Sequence, residues 1–196
     1  LGPTILRAVG IPVPSAMEGE PVEQGREGGN WEQRLEMLER EDAAAQFRDA
    51  RIGEFYALVV AAVATVVAGA LACGLDRAAP GRRAVPLVAL AALGLVPAAF
   101  LARLAPLHEV GAGPFLGLLA VLAMAFGALT WVLARRRPLD GLLVALGAIV
   151  VLLTVDAGRG NPLVFNSVLG YSPTVAGRFT GFGNPTYAAY ASAALI

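Results

Sequence analysis

Residues 55–75 run for 21 positions without a charged side chain. At about 1.5 Å per residue a helix of that length covers the roughly 30 Å hydrocarbon layer of a bilayer. Three more apolar runs, 85–102, 114–134 and 139–155, contain between 17 and 21 residues each and are separated by short polar turns. Lipid offers backbone N–H and C=O groups no partner, so each run must satisfy its own as a helix. The expected fold is all-α, a polytopic membrane bundle with four complete spans. A shorter run, 187–196, reads as the start of a fifth span that the sequence truncates. The chain opens on Leu1 rather than methionine, and the expectation is a piece of a longer protein.

Charge divides the chain. Residues 1–54 carry 6 arginines against 11 acids and residues 55–196 carry 9 against 4, so an acidic extramembrane segment precedes a basic membrane domain. The sums cancel, which leaves no footprint for nucleic acid. One cysteine, Cys73, and one histidine, His108, exclude an internal disulfide and a Cys/His zinc cluster. Cys73 reads as a small packing residue and His108 as a surface group. Orientation follows from arginine. Arg77, Arg82, Arg83, Arg135, Arg136 and Arg137 fall on one side and only Arg103, Arg159 and Arg178 on the other after the first span. The positive-inside rule then puts the N-terminal segment outside the plasma membrane.

Three regions are expected: 1–30, a short helix with an extended tail; 31–54, a connector helix; and 55–196, the membrane domain with an outer loop over 156–186. Pro3 suits a first helical turn, Gly10 a helix stop, and Asn30 an N-cap for the connector. Trp31, Leu35, Leu38 and Phe47 should lie near one face of that connector. Glycine recurs in the spans, notably at Gly117 and Gly127, where small residues permit close helix approach in lipid.

The stretch Gly2-Pro3-Thr4-Ile5-Leu6, then Gly10-Ile11-Pro12-Val13-Pro14 and Met17-Glu18-Gly19, resembles the C-terminal end of alkaline-phosphatase superfamily domains, the relatives of sulfatases and phosphodiesterases. The resemblance implies a head that hydrolyses or transfers phosphate or sulfate esters with two divalent metal ions, Asp and His ligands and a Ser or Thr nucleophile. All of these would lie upstream of Leu1. No catalytic residue and no cofactor is therefore expected in this chain, and Thr4 reads as a helix-start residue. Near the other end, Asn166-Ser167-Val168-Leu169-Gly170-Tyr171-Ser172-Pro173 with Gly177-Arg178-Phe179 and Gly181-Phe182-Gly183-Asn184 is similar to a motif of large bacterial membrane proteins that join such a head to a multi-span domain. The arginine-only, alanine-rich composition suits a high-GC actinobacterium. The resemblance implies the membrane part of a cell-surface enzyme that binds a lipid-linked substrate. The alternative is a transporter-like or lipid-translocating bundle with a regulatory or degenerate head.

Residues 157–184 form a loop of 28 residues with six glycines, three asparagines and two arginines. Such length implies function or disorder. The apolar Leu163, Val164, Phe165, Val168, Leu169, Tyr171, Phe179 and Phe182 favour a loop tucked into the bundle. Arg178 offers a planar fork that matches phosphate, and Gly177, Gly181 and Gly183 let backbone N–H groups approach an anion. Asn166, Tyr171 and Asn184 would complete a site for an anionic lipid headgroup. Asp156 and Arg159 would pair with each other or with Arg178. The competing reading has Arg178 snorkel to the headgroups while the asparagines cap helices and the glycines serve turns.

Overall fold

A computed structural model of the chain describes residues 2–15, 17, 30–75, 84–133, 139–171 and 183–195. All regular structure among them is helical apart from one isolated bridge between Phe165 and Tyr171. Four of the helices are long and apolar enough to cross a membrane. The chain divides into two compact units, Leu1–Leu38 and Glu39–Ile196.

In the first unit α1 covers Gly2–Ala8. Gly10 ends it in the left-handed region at φ 75°. The Gly10 amide donates to the Arg7 carbonyl and the Ile11 amide to the Leu6 carbonyl, the paired closure of a glycine-terminated helix. Asn30 starts α2 as the sequence predicts. Its side-chain oxygen accepts from the Gln33 amide at 2.9 Å and its own amide donates to Gln33 Oε1 at 3.1 Å, so two orphan donors are satisfied reciprocally.

Helix α2 runs unbroken over Trp31–Leu75, 45 residues. No break in the helix falls at the expected boundary between connector and first span, because a single glycine, Gly53, costs a helix only about 1 kcal/mol. Trp31, Leu35 and Leu38 are exposed, whereas Phe47 packs edge-on against Phe115 with ring centroids 5.6 Å apart.

The second unit continues with α3 (Ala84–Leu101), a 3-10 turn over Ala102–Leu104, α4 (Leu107–Val110), α5 (Ala112–Leu133), α6 (Asp140–Gly158) and α7 (Asn184–Ala194). Helices α3 and α5 meet backbone to backbone. A Cβ at Gly94 would lie 2.6 Å from the Ala123 carbonyl oxygen, and one at Gly127 2.7 Å from the Ala91 nitrogen. Their pairing, 91 with 127 and 94 with 123, makes the helices antiparallel. Gly117, expected at such a contact, has nothing within 4 Å. Phe55, Phe100, Phe115, Leu119, Ile149 and Leu153 fill the core around this pair. Buried Thr130 donates its hydroxyl back to the Phe126 and Gly127 carbonyls, which satisfies it inside an apolar helix. Helix α6 extends past the predicted end at Val155, and α7 begins three residues before the predicted 187, with Pro185 in its first turn. At 11 residues α7 is shorter than the about 20 needed to span.

Candidate functional site

The loop after α6 is folded by a buried acid. Asp156 sits in the last turn of α6, only 1% exposed, where the helix carbonyls disfavour a negative charge by about 0.3–1 kcal/mol. Two backbone donors outweigh this. The Leu163 amide reaches Asp156 Oδ1 at 2.8 Å and the Val164 amide reaches Oδ2 at 3.0 Å. The chain must fold straight back to bring them there, and Gly160 and Asn161 supply the reversal with φ values of 86° and 64°. Asparagine tolerates that region better than most residues. The Asn161 amide closes the turn on the Asp156 carbonyl at 2.8 Å. Among the described residues Asp156 and Arg159 form no ion pair, the carboxylate being turned to the loop amides instead; the alternative partner, Arg178, lies outside the described residues.

A buried base holds the loop from the other side. Arg48 of α2 is 9% exposed. Its Nε donates to the Ser167 carbonyl and its Nη2 to the Gly170 carbonyl, both at 2.9 Å, while Nη1 pairs with Asp49. Thr186 at the start of α7 donates to the Leu169 carbonyl at 2.9 Å. Gly170 cannot be anything larger, since a Cβ there would fall 1.7 Å from the Val164 carbonyl oxygen. Asn166, at φ 57°, donates its amide nitrogen to the Tyr171 carbonyl and its side chain to the Glu41 carbonyl. Phe165 and Tyr171 stack edge-on, with centroids 5.5 Å apart. Irregular backbone buried this deeply persists only when its polar groups find partners, and three different helices supply them.

Beside the loop lies a cleft of about 450 Å³ between the ends of α3 and α6. Leu101, Leu104, Leu152, Val155 and Leu163 give it aliphatic walls, and Arg103 and Arg159 add guanidinium groups. Arg103 Nη2 contacts Glu41 Oε1 at 2.7 Å and Oε2 at 2.8 Å. Among the described residues Arg159 is exposed and forms no ion pair, and Arg103 Nε is buried without a hydrogen-bond partner. A second cavity of about 40 Å³ adjoins Arg48, Arg103, His108 and Asn166, so His108 is half-buried rather than a surface group.

The sequence-predicted site is therefore partly redistributed. Asn166 and Tyr171 come together through the backbone, and Asp156 holds Leu163 and Val164, so all three take part in folding the loop. Asn184 is exposed at the start of α7, and Gly183 precedes it as the N-cap. Arg159 lies at the cleft. Arg178, Gly177 and Gly181 fall outside the described residues, as do both predicted arginine clusters. Arg48, Arg103 and Glu41 were not anticipated. For Arg48 a signal existed: Ala45, Arg48 and Phe55 fall at i, i+3 and i+10, one helical face, and all three are buried. Among the described residues no cluster of three or more His, Cys, Asp or Glu side chains is arranged to hold a metal ion. No protein-family model matches the chain, and neither curated proteins nor solved structures give a match.

Proposed function

We propose that this chain is the membrane-embedded part of a cell-surface protein and that the cleft between α3 and α6 binds an anionic amphiphile, its acyl portion along the aliphatic walls and its charged head between Arg103 and Arg159. The observation that carries the reading is the presence of two arginines against one acid, Asp156, on a mostly aliphatic cleft of about 450 Å³. An arginine near lipid is costly unless paired; Arg159 forms no ion pair among the described residues, and Asp156, which lines the cleft with it, turns both oxygens to backbone amides of the loop. A phosphate headgroup answers Arg159 electrostatically and matches the planar fork of Arg103.

The apolar surface of the long helices supports this reading. Val60, Val63, Val67 and Leu71 on α2, Val121, Met124 and Leu129 on α5, and Val151 on α6 are exposed apolar side chains on helices long enough to span, a distribution that lipid would cover. The N-terminal segment faces outward in this reading, on the strength of the arginine distribution. There 1–30 would close an alkaline-phosphatase-like head, and the cleft would hold its lipid-linked phosphate substrate at the outer membrane face.

The test is retention of lipid by the purified chain. Reconstituted in phosphatidylcholine nanodiscs with a minor fraction of phosphatidylglycerol and released into native mass spectrometry, the protein should retain phosphatidylglycerol preferentially. Arg103→Gln with Arg159→Gln should abolish that preference. Equal retention of both lipids by the unaltered chain defeats the reading.

A further inference from the structure

We infer that Glu41 is a built-in counter-anion for Arg103, one that an incoming phosphate ester must displace. The inference deepens the proposed anion site and rests on it. The Glu41–Arg103 contact lacks the features of a permanent clasp. A strong carboxylate–arginine pair uses two nitrogens against two oxygens, whereas here both oxygens of Glu41 fall on the single nitrogen Nη2, at 2.7 and 2.8 Å. The adjacent Nε is left buried without a partner among the described residues. A tetrahedral phosphate offers oxygens that reach Nε and Nη2 together, so it can complete what the carboxylate leaves undone.

The contact is also free to open. The two side chains are 26% and 35% exposed, so water reaches the partly buried pair and screens it. The backbone beneath Glu41 is fixed separately, because its carbonyl accepts from the side chain of Asn166 at 3.2 Å. The carboxylate can therefore swing toward solvent while α2 and the loop keep their places. Charge sets the direction of exchange. Arg103 and Arg159 against Glu41 and Asp156 make the site formally neutral, and an anion entering with Glu41 in place would leave it negative. With Glu41 turned away, one negative charge from the ligand restores neutrality. The ligand class is a phosphate ester, which has further oxygens for Arg159 while two of them hold the fork of Arg103; a fatty-acid carboxylate would spend both of its oxygens on the fork.

The experiment compares the full chain with Glu41→Gln, Arg103→Gln and the double variant in phosphatidylcholine nanodiscs, titrated with short-chain phosphatidylglycerol, inorganic phosphate or octanoate. Glu41→Gln should bind phosphatidylglycerol about two- to fivefold tighter, the range a water-screened pair allows. The gain should vanish when Arg103→Gln is added, and octanoate should bind far more weakly throughout. Glu41→Asp keeps the charge but withdraws it by one methylene, so it should show a smaller gain in the same direction. Unchanged or weaker binding by both Glu41 variants, with Arg103→Gln still impaired, overturns the counter-anion while sparing the cleft. Failure of the unaltered chain to prefer phosphatidylglycerol removes the site and the inference together. The same Glu41→Gln gain with inorganic phosphate alone upholds the displacement and assigns it to a soluble anion instead of a lipid.

Discussion

Arg48 and Gly170 are 122 residues apart in the chain and are joined by a hydrogen bond of 2.9 Å from the arginine Nη2 to the glycine carbonyl. The same guanidinium reaches the Ser167 carbonyl, so one side chain on α2 fixes two peptide groups of a loop whose described residues contribute no regular strand or helix. The fork geometry is what allows this: two donors at a fixed separation read two carbonyls at once.

Arg48→Lys should therefore behave nearly as badly as Arg48→Met. Lysine keeps the charge but delivers it as a point, and a single ammonium group is poorly shaped to span both carbonyls. Hydrogen bonds to a charged group contribute about 1.5–3 kcal/mol each, and the two are coupled. A loss of about 2–4 kcal/mol is expected for either variant, read as a lowered thermal midpoint in detergent micelles. A lysine variant that melts with the unaltered protein would remove the claim that fork geometry matters.

Gly170→Ala should be disruptive and Gly117→Ala harmless. A methyl at 170 would overlap the Val164 carbonyl oxygen at 1.7 Å, while one at 117 meets nothing within 4 Å. Alanine also improves helix propensity over glycine by about 1 kcal/mol, so Gly117→Ala should be neutral to slightly stabilising. Hydrogen exchange over residues 163–171 checks the first variant: the amides of Leu163, Val164 and Asn166 should lose protection.

Asp156→Asn replaces one of two acceptors with a donor. The amide oxygen can still receive one of the Leu163 and Val164 N–H groups, but its NH2 then faces the other. An unsatisfied buried donor costs about 1–3 kcal/mol, partly offset because the charge no longer opposes the helix dipole. Net destabilisation is expected, with Asp156→Ala worse because both amides lose their acceptor. The ordering of thermal midpoints, unaltered above asparagine above alanine, is the measurement.

The helices were legible because apolar runs of bilayer length admit few other structures, and Asn30 and Gly10 were legible because caps act within a few residues. What escaped depends on partners distant in sequence. Arg48 looked like one more charge on a solvated helix, since the face it shares with Ala45 and Phe55 shows only when the helix is read through the boundary at 54. Asp156 reads as a partner for Arg159 or Arg178 because a sequence shows opposite charges more readily than a carboxylate turned toward backbone amides. Gly127 and Gly117 are alike within α5, and only the register against α3 distinguishes them.

Topology is open to a direct check that uses no binding assay. In a Cys73→Ser background, cysteine placed singly at Ser15, Ser172 or Arg82 reports its side of the membrane through a thiol reagent that cannot cross it. The positive-inside bias acts through arginines close to span ends, and the clusters at Arg82–Arg83 and Arg135–Arg137 sit within a few residues of theirs. The other end is less one-sided. Arg48 and Arg103 lie near it, but each is bound to protein partners, which makes them weaker guides to orientation than their number suggests. Cysteines at 15 and 172 should therefore react in intact cells and cysteine at 82 only after permeabilisation. Labelling confined to position 82 in intact cells would invert the chain and move the Arg103–Arg159 cleft to the cytoplasmic face.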